Sequence, residues 1–399
     1  MIVRKMEVLR YKCLHSISQT LRPFHILVGP NASGKSTFLD VLVFVRDVLK
    51  GNLQEALRKR VRSLRELTWR MDEGGFEIAL ELEIPELIRE RLKDSSYTVA
   101  RYELRIATED GALALPVENL WLVRGEGQEE GPQTHGSPAG FRKVMSRAAE
   151  RRLYIRSETT GWNFQLAIGL ERSGLIMIPE EEERFPVSMW VRRVLREGIH
   201  FLQLNSLAMR WPCPPDAPRD FQPDGSNLPL VVETLEAKHP KMLERWIEHL
   251  RTVLPEIRKV GVKEREEDRY RYLVVETQDG KVLPSWLLSD GTLRLFALTL
   301  IAYLPGEKGI YIIEEPENGI HPKALEAVYQ SLSSVYDGQI FCATHSPVLL
   351  NLAKPEELLC FTRTKEGATD IVAGDQHPNL KEWQQQIPLG DLLASGILG

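Results

Sequence analysis

The stretch Gly29-Pro30-Asn31-Ala32-Ser33-Gly34-Lys35-Ser36-Thr37 decides the fold of this chain. Its glycines let backbone N–H groups turn inward around phosphate oxygens, its lysine reaches the terminal phosphates, and the hydroxyl that follows ligates magnesium. A short apolar strand, residues 25–28, precedes the stretch, and the pattern after it predicts a helix from Asp40 to Leu49. This order of strand, loop and helix is the context that a phosphate-binding loop requires.

Each residue of the loop therefore receives an expected role. Lys35 contacts the β and γ phosphates and serves catalysis, and Ser36 also ligates Mg²⁺. The residues expected to bind the phosphates of ATP are Asn31, Ala32, Ser33, Gly34, Lys35, Ser36 and Thr37.

A second motif is an apolar run that ends in two carboxylates, Gly309 to Pro316. Such a run indicates a buried parallel strand whose carboxyl end delivers acidic groups to a nucleotide crevice. We expect Glu314 to hold magnesium and Glu315 to polarise the attacking water. Taken alone, the run is equally typical of a strand that ends in solvated acids.

A third motif is the polar turn Leu287 to Arg294, which leads into an apolar helix. Ser289 is a favourable N-cap, so ordinary helix capping explains the turn by itself. The functional alternative is that Ser289, Asp290 and Gly291 bind the γ phosphate of a nucleotide held by another subunit.

A fourth motif, Phe341 to Pro347, is an apolar strand that ends in His345. A single histidine is usually structural. At the end of a strand that follows the carboxylate strand, however, a histidine can contact the γ phosphate and sense its presence, and we favour this catalytic role for His345.

Taken in order, the loop, LSDGT, IIEEPENGIHP and ATHSP resemble the Walker A, signature, Walker B and switch-histidine motifs of an ABC-type ATPase head. The variants are similar to those of prokaryotic AAA-family ATPases related to the OLD family and to SMC proteins. The resemblance implies an α/β head, with a mostly parallel sheet, an antiparallel β lobe and a mixed β/α insertion. It also implies a homodimer or higher homo-oligomer in which Ser289 and Gly291 of one subunit face Gly34 and Lys35 of another.

Two departures from the family pattern stand out. Asp290 replaces the signature glycine, and no convincing Q-loop glutamine follows the first helix. The chain after His345 is too short for the Toprim nuclease domain of OLD proteins, and no heptad run suggests an SMC arm. We therefore expect an ATPase module without its own effector.

Residues 1–50 and 268–399 are expected to form the head, residues 51–185 the antiparallel lobe, and residues 186–267 a helical insertion. A loop is expected near residues 125–140, where Gly, Glu, Gln, Pro and Ser are dense. Helical periodicity runs from Val187 to Leu204 and from Leu228 to Leu254.

The net charge is −5, no apolar stretch is long enough to span a bilayer, and the N-terminus lacks the layout of a signal peptide. These features predict a cytoplasmic protein without membrane partners. The basic stripe Arg58 to Arg70 is typical of a solvated helix face, and alternatively of a site for DNA.

The leading hypothesis is an ATP-hydrolysing switch that uses ATP and Mg²⁺ and controls a separately encoded effector, in a role such as phage defence. The alternatives are a DNA-binding repair or recombination ATPase and, with a poorer fit, the ATP-binding subunit of an ABC transporter.

Overall fold

The computed structural model describes residues 2–125, 139–148, 151–306, 309–381 and 388–395, so most of the loop expected near residues 125–140 lies outside the described residues. The chain divides into two compact units. The first unit comprises Met1–Arg22, Pro30–Ile199 and Phe361–Ile371. The second comprises Pro23–Gly29, His200–Cys360 and Val372–Gly399. The domain boundaries expected from the sequence remain a prediction.

The described residues form seventeen β-strands. They are β1 (Val3–Tyr11), β2 (Leu14–Thr20), β3 (Phe24–Val28), β4 (Phe76–Glu83), β5 (Tyr97–Glu109), β6 (Ala112–Arg124), β7 (Phe141–Ala148), β8 (Arg152–Arg156), β9 (Asn163–Ala167), β10 (Ile199–Leu202), β11 (Ile257–Glu264), β12 (Arg271–Thr277), β13 (Val282–Pro284), β14 (Gly309–Glu314), β15 (Gly338–Ala343), β16 (Leu358–Arg363) and β17 (Thr369–Ala373).

The described residues also form α-helices. They are α1 (Lys35–Lys50), α2 (Leu53–Arg58), α3 (Glu86–Arg89), α4 (Pro186–Glu197), α5 (Ser206–Arg210), α6 (Leu228–Lys238), α7 (Pro240–Arg251), α8 (Asp290–Leu300), α9 (Leu325–Ser333), α10 (Pro347–Leu352), α11 (Pro378–Lys381) and α12 (Leu389–Ala394). In the described part of the chain, none of the helices is long and apolar enough to cross a membrane.

The first unit is built on an antiparallel sheet of eight strands in the order β2-β1-β4-β5-β6-β7-β8-β9. In the middle of β1, the buried Met6 and Val8 flank the half-buried Glu7, so the two faces of the strand differ in burial there. Tyr11 of β1 and Phe76 of β4 meet edge to face with ring centroids 4.9 Å apart, and Phe44 of α1 lies 5.4 Å from Phe76. This aromatic cluster packs α1 against the sheet.

The second unit contains the core of a sheet with strand order β10-β14-β15-β3-β16-β17. Strands β14, β15, β3 and β16 pair in parallel. All residues of β3 and β15 are buried, as expected for strands covered on both faces. A separate antiparallel sheet has the order β11-β12-β13. Parallel and antiparallel sheets are therefore both present, which confirms the fold class predicted from the sequence.

The helical periodicity that runs to Leu204 in the sequence ends earlier in the structure. Helix α4 ends at Glu197, and Gly198 separates it from the strand β10, which lies beside β14. A run of four residues such as β10 is too short for periodicity to distinguish a strand from a helix. The second periodic stretch is divided into α6 and α7, because Pro240 begins a new helix.

Candidate nucleotide-binding and hydrolysis site

The carboxyl ends of three neighbouring parallel strands of the second unit lie in register, side by side at the same end of the sheet. Glu314 of β14 pairs with Ala343 of β15, and Ala343 pairs with Leu27 of β3. The phosphate loop begins two residues after Leu27, the carboxylate motif ends β14, and His345 follows β15 by two residues. The carboxyl ends of parallel strands are the usual position of ligand sites in such sheets.

The phosphate loop belongs to the first unit from Pro30 onward. Ala32 and Gly34 have positive φ angles of 60° and 108°, so the backbone curves as an anion-binding nest requires. Gly34 caps α1, whose first turn contains no acidic residue that would repel a phosphate. The buried Lys35 donates a hydrogen bond from Nζ to the carbonyl oxygen of Pro30 at 3.0 Å.

Thr369 at the start of β17 supports the phosphate loop. Its hydroxyl donates a hydrogen bond to the carbonyl oxygen of Ser33 at 2.8 Å, and its backbone N–H donates to the carbonyl oxygen of Cys13. A Cβ atom on Gly34 would lie 2.2 Å from Oγ1 of Thr369, so this contact also requires a glycine. Sequence reasoning missed Thr369, because no motif marks a residue 336 positions from the loop.

The two carboxylates that end β14 have different surroundings. Glu314 continues the strand, whereas Glu315 leaves it with a φ of 50° and donates its backbone N–H to the carbonyl oxygen of Ala343 at 2.8 Å. Nδ2 of Asn318 donates a hydrogen bond to Oε2 of Glu315 at 2.5 Å. The side chain of Asn318 thus orients the Glu315 carboxylate.

Glu317 holds the loop that carries His345. Its Oε1 atom accepts hydrogen bonds from the hydroxyl of Thr344 at 2.8 Å and from the backbone N–H of His345 at 3.0 Å. Oε2 of Glu317 is buried and has no hydrogen-bond partner in the described residues. The imidazole of His345 is exposed, so it is accessible to a ligand. Glu317 directly follows the carboxylate motif, but nothing in its local sequence predicted this role.

The signature turn is the N-terminus of α8. The hydroxyl of Ser289 accepts a hydrogen bond from the backbone N–H of Thr292 at 3.1 Å, so Ser289 does cap this helix. A Cβ atom on Gly291 would lie 2.3 Å from the carbonyl oxygen of Gly319. The turn after Glu315 therefore packs directly on the backbone of the signature turn, and only glycine fits at position 291.

A cavity of about 230 Å³ lies beside Glu314 in the second unit. Its polar lining groups are Gln203, Arg294 and Glu314. Gln203 directly follows β10, the strand next to β14, and is exposed. A Q-loop glutamine was expected soon after the first helix, whereas Gln203 lies far from that position in the sequence. The signal that marks Gln203 is the short apolar run Ile199–Leu202 before it.

The expected site residues thus fall into two groups. Residues 31–37 lie in the first unit, and Ser289, Asp290, Gly291, Glu314, Glu315 and His345 lie in the second. The second unit brings Glu314, Glu315 and His345 to one edge of its sheet. The Ser36 hydroxyl of the first unit and the Glu314 carboxylate of the second are each oxygen groups of the kind that Mg²⁺ prefers.

Two curated proteins resemble parts of the chain. The OLD nuclease of Thermus scotoductus is 23% identical over 373 residues, which cover 90% of this chain and 61% of the nuclease. Protein ea59 of Escherichia phage lambda is 33% identical over 90 residues, which cover 22% of this chain and 17% of ea59. The chain therefore spans less than two thirds of the length of each of these two relatives.

A solved structure shares the fold. The SMC head in a crystal structure with the C-winged helix domain of ScpA has a TM-score of 0.55 and 15% sequence identity, covering 93% of this chain and 97% of that chain. The resemblance to SMC and OLD proteins stated from the motifs is confirmed. Residues 24–174 and 231–351 match the family described as "AAA domain, putative AbiEii toxin, Type IV TA system". Since this match extends over more than half of the chain, the chain belongs to this family of AAA-domain ATPases.

Proposed function

We propose that this chain is a magnesium-dependent ATPase switch that assembles through shared ATP sites and regulates an effector protein. The observation that carries the proposal is the register of three parallel strands, which brings Leu27, Ala343 and Glu314 to one sheet edge. The phosphate loop, the switch histidine and the acidic motif each leave the sheet from that edge. An arrangement of this kind suits phosphoryl transfer, in which catalysis consists of positioning and charge stabilisation.

The residue roles in this proposal come from the sequence motifs. Lys35 would contact the β and γ phosphates, and Ser36, Glu314 and Gln203 would hold Mg²⁺. Bound Mg²⁺ would neutralise charge on the β and γ phosphate oxygens.

Glu315 orients and polarises the attacking water, and the hydrogen bond from Asn318 fixes its carboxylate. His345 contacts the γ phosphate, and Glu317 holds the backbone of His345 in place. His345 loses this contact when the γ phosphate leaves, so the contact distinguishes the ATP-bound state from the state after hydrolysis.

In the ABC-type assembly that we propose, Ser289 and Gly291 of a second subunit complete the ATP site of the first. The start of α8 carries the positive end of the helix dipole, which favours an anion at this position. ATP then links two subunits, and hydrolysis releases them. The same arrangement allows either a dimer or a larger homo-oligomer.

We also propose that a separately encoded protein, such as a nuclease or toxin used in phage defence, is the effector. The support is a relative that is an OLD nuclease and a family description that names a toxin system. Because the chain spans 61% of that nuclease, nuclease activity is not assigned to this chain. Purification of the tagged chain from its native cell, with and without ATP, tests the idea. A protein that co-purifies in a nucleotide-dependent manner supports the effector proposal. The absence of any co-purifying protein in both conditions contradicts it.

The ATPase assignment is tested by steady-state hydrolysis with Mg²⁺ and with EDTA. Lys35→Ala is expected to abolish ATP binding, and Glu315→Gln is expected to retain binding but to lower kcat by roughly 10²-fold or more. Lys323→Ala changes an exposed lysine outside the motifs and serves as the matched control. Hydrolysis that persists in both site variants would contradict the assigned mechanism.

DNA binding through the basic stripe has less support, because several of its positively charged side chains form ion pairs with acidic residues of the same chain. Arg60 is largely buried and forms ion pairs with Asp40 at 2.7 Å and with Asp47 at 2.9 Å. Lys59 pairs with Asp47, and Arg65 pairs with an acidic neighbour. Salt-dependent binding of duplex DNA that weakens when the exposed arginines of the stripe are neutralised would revive this alternative.

A further inference from the structure

Asp290 is an unusual residue for the position it occupies. It is the first residue of α8, and its side chain is 60% exposed. A carboxylate suits a helix N-terminus, but it repels a phosphate that binds to the same N–H groups. Under the proposed function, Ser289 and Gly291 on either side of it receive the γ phosphate carried by a second subunit. The negative charge of Asp290 therefore needs to be cancelled.

Arg210, the last residue of α5, lies against this carboxylate. Its Nη2 atom is 2.7 Å from Oδ1 of Asp290 and also donates a hydrogen bond to the carbonyl oxygen of Leu288 at 3.0 Å. The carbonyl oxygen of Arg210 accepts a hydrogen bond from the hydroxyl of the fully buried Ser285 at 2.8 Å. Arg210 is thus fixed to the signature turn through its side chain and to Ser285, two residues before that turn, through its backbone.

The guanidinium of Arg210 is only partly used by these contacts. Within the described residues, neither Nη1 nor Nε has a hydrogen-bond partner, and Nε is buried. The Arg210 side chain as a whole is 30% exposed. Arginine suits phosphate recognition because its planar fork of N–H donors matches the oxygens of a carboxylate or a phosphate.

We propose that Arg210 is a positioning residue of the composite ATP site. It neutralises Asp290 and holds the carboxylate to one side, so that the signature turn accepts a nucleoside triphosphate bound to a second copy of this chain. The pair Arg210–Asp290 takes over the function of a neutral glycine at this position. The inference rests on the proposed function, in which the signature turn completes the ATP site of another subunit.

This role differs from simple anchoring of α5, and a pair of substitutions separates the two. Arg210→Ala leaves the Asp290 charge uncompensated and also removes the hydrogen bond to Leu288. Adding Asp290→Gly removes the charge but does not restore the hydrogen bond. Rescue by the second substitution is therefore expected if charge matters, and no rescue is expected if Arg210 only anchors the turn.

The experiment measures ATP-dependent dimerisation of the full chain by sedimentation. The parent protein is the full chain with Glu315→Gln, which slows the consumption of ATP, and every variant is made in this parent. Arg210→Ala is expected to raise the dimer dissociation constant about tenfold or more, as for the loss of one charged contact. Arg210→Ala with Asp290→Gly is expected to return it to within about threefold of the parent. Arg265→Ala removes an exposed arginine that pairs with Asp268 elsewhere in the same unit, and it serves as the matched control.

The outcomes separate this inference from the proposed function. If the parent does not dimerise with ATP, the shared ATP site is wrong and the inference falls with it. If the parent dimerises and Arg210→Ala dimerises equally well, only the inference is overturned. Dimerisation that is lost in Arg210→Ala and not rescued by Asp290→Gly also overturns it. ATP affinity of the monomer, measured with a fluorescent analogue, is expected to stay within about twofold of the parent, since Arg210 acts on the nucleotide of another subunit.

Discussion

Replacing Glu317 with alanine removes both hydrogen bonds that the carboxylate accepts from the loop carrying His345. The backbone N–H of His345 then loses its only acceptor in the described residues, which lies at 3.0 Å. A hydrogen bond to a charged group contributes about 1.5–3 kcal/mol. The free energy needed to open this loop should therefore fall by about 1.5–3 kcal/mol. Global stability should change less, because the substitution also removes the buried and unpaired Oε2 of Glu317.

Native-state hydrogen exchange measures the opening of this loop directly. Since each 1.4 kcal/mol is tenfold in an equilibrium constant, the amide of His345 should exchange about 10–150-fold faster in Glu317→Ala. Glu317→Gln keeps an uncharged acceptor and should give an intermediate rate. Amides within β15 serve as an internal reference, and Glu326→Ala, at an exposed position of α9, is the matched control variant.

A second readout connects this loop to catalysis. Because a loosened His345 is poorly placed against the γ phosphate, kcat for ATP hydrolysis should fall by roughly 10²-fold while ATP affinity is retained. The anchoring role of Glu317 is refuted if the His345 amide exchanges within twofold of the wild-type rate in Glu317→Ala. The link between this loop and catalysis is refuted if faster exchange leaves kcat unchanged.

Three further substitutions test other parts of the structure. Gly291→Ala places a Cβ atom 2.3 Å from the carbonyl oxygen of Gly319, so urea unfolding should show a loss of about 1–3 kcal/mol. Thr369→Val removes the hydroxyl that supports the phosphate loop, so calorimetry should show ATP binding weakened about 2–10-fold. Burial raises the pKa of Asp40, but the positive charges of the adjacent Arg60 and Lys12 lower it by more. The net pKa of Asp40 therefore lies below its ordinary value. Asp40 therefore stabilises the fold above its unfolded pKa of about 4, and this contribution is lost as pH falls towards the folded value. The urea midpoints of wild type and Asp40→Asn should thus differ most near neutral pH and converge in acid.

The motifs were recognisable because each of them is local. A phosphate loop needs its glycines, lysine and hydroxyl at fixed spacing, and a buried parallel strand needs a continuous apolar run, as in β14. The class of fold followed from their order, and it is confirmed. The short strand β10 was not recognised, because four residues carry too little periodicity, and Gln203 was missed with it.

The sequence by itself determined which chemistry this protein can carry out, because nucleotide motifs are written in consecutive residues such as those from Gly29 to Thr37. Only the tertiary structure decided which other residues support them. Thr369 meets the phosphate loop from 336 residues away, Glu317 reaches the His345 backbone across 28 residues, and Arg210 reaches the signature turn across 78. These contacts depend on how the strands are ordered and on where the loops between them return. No local pattern records that information, because the energy of each contact arises only when distant segments of the chain come together.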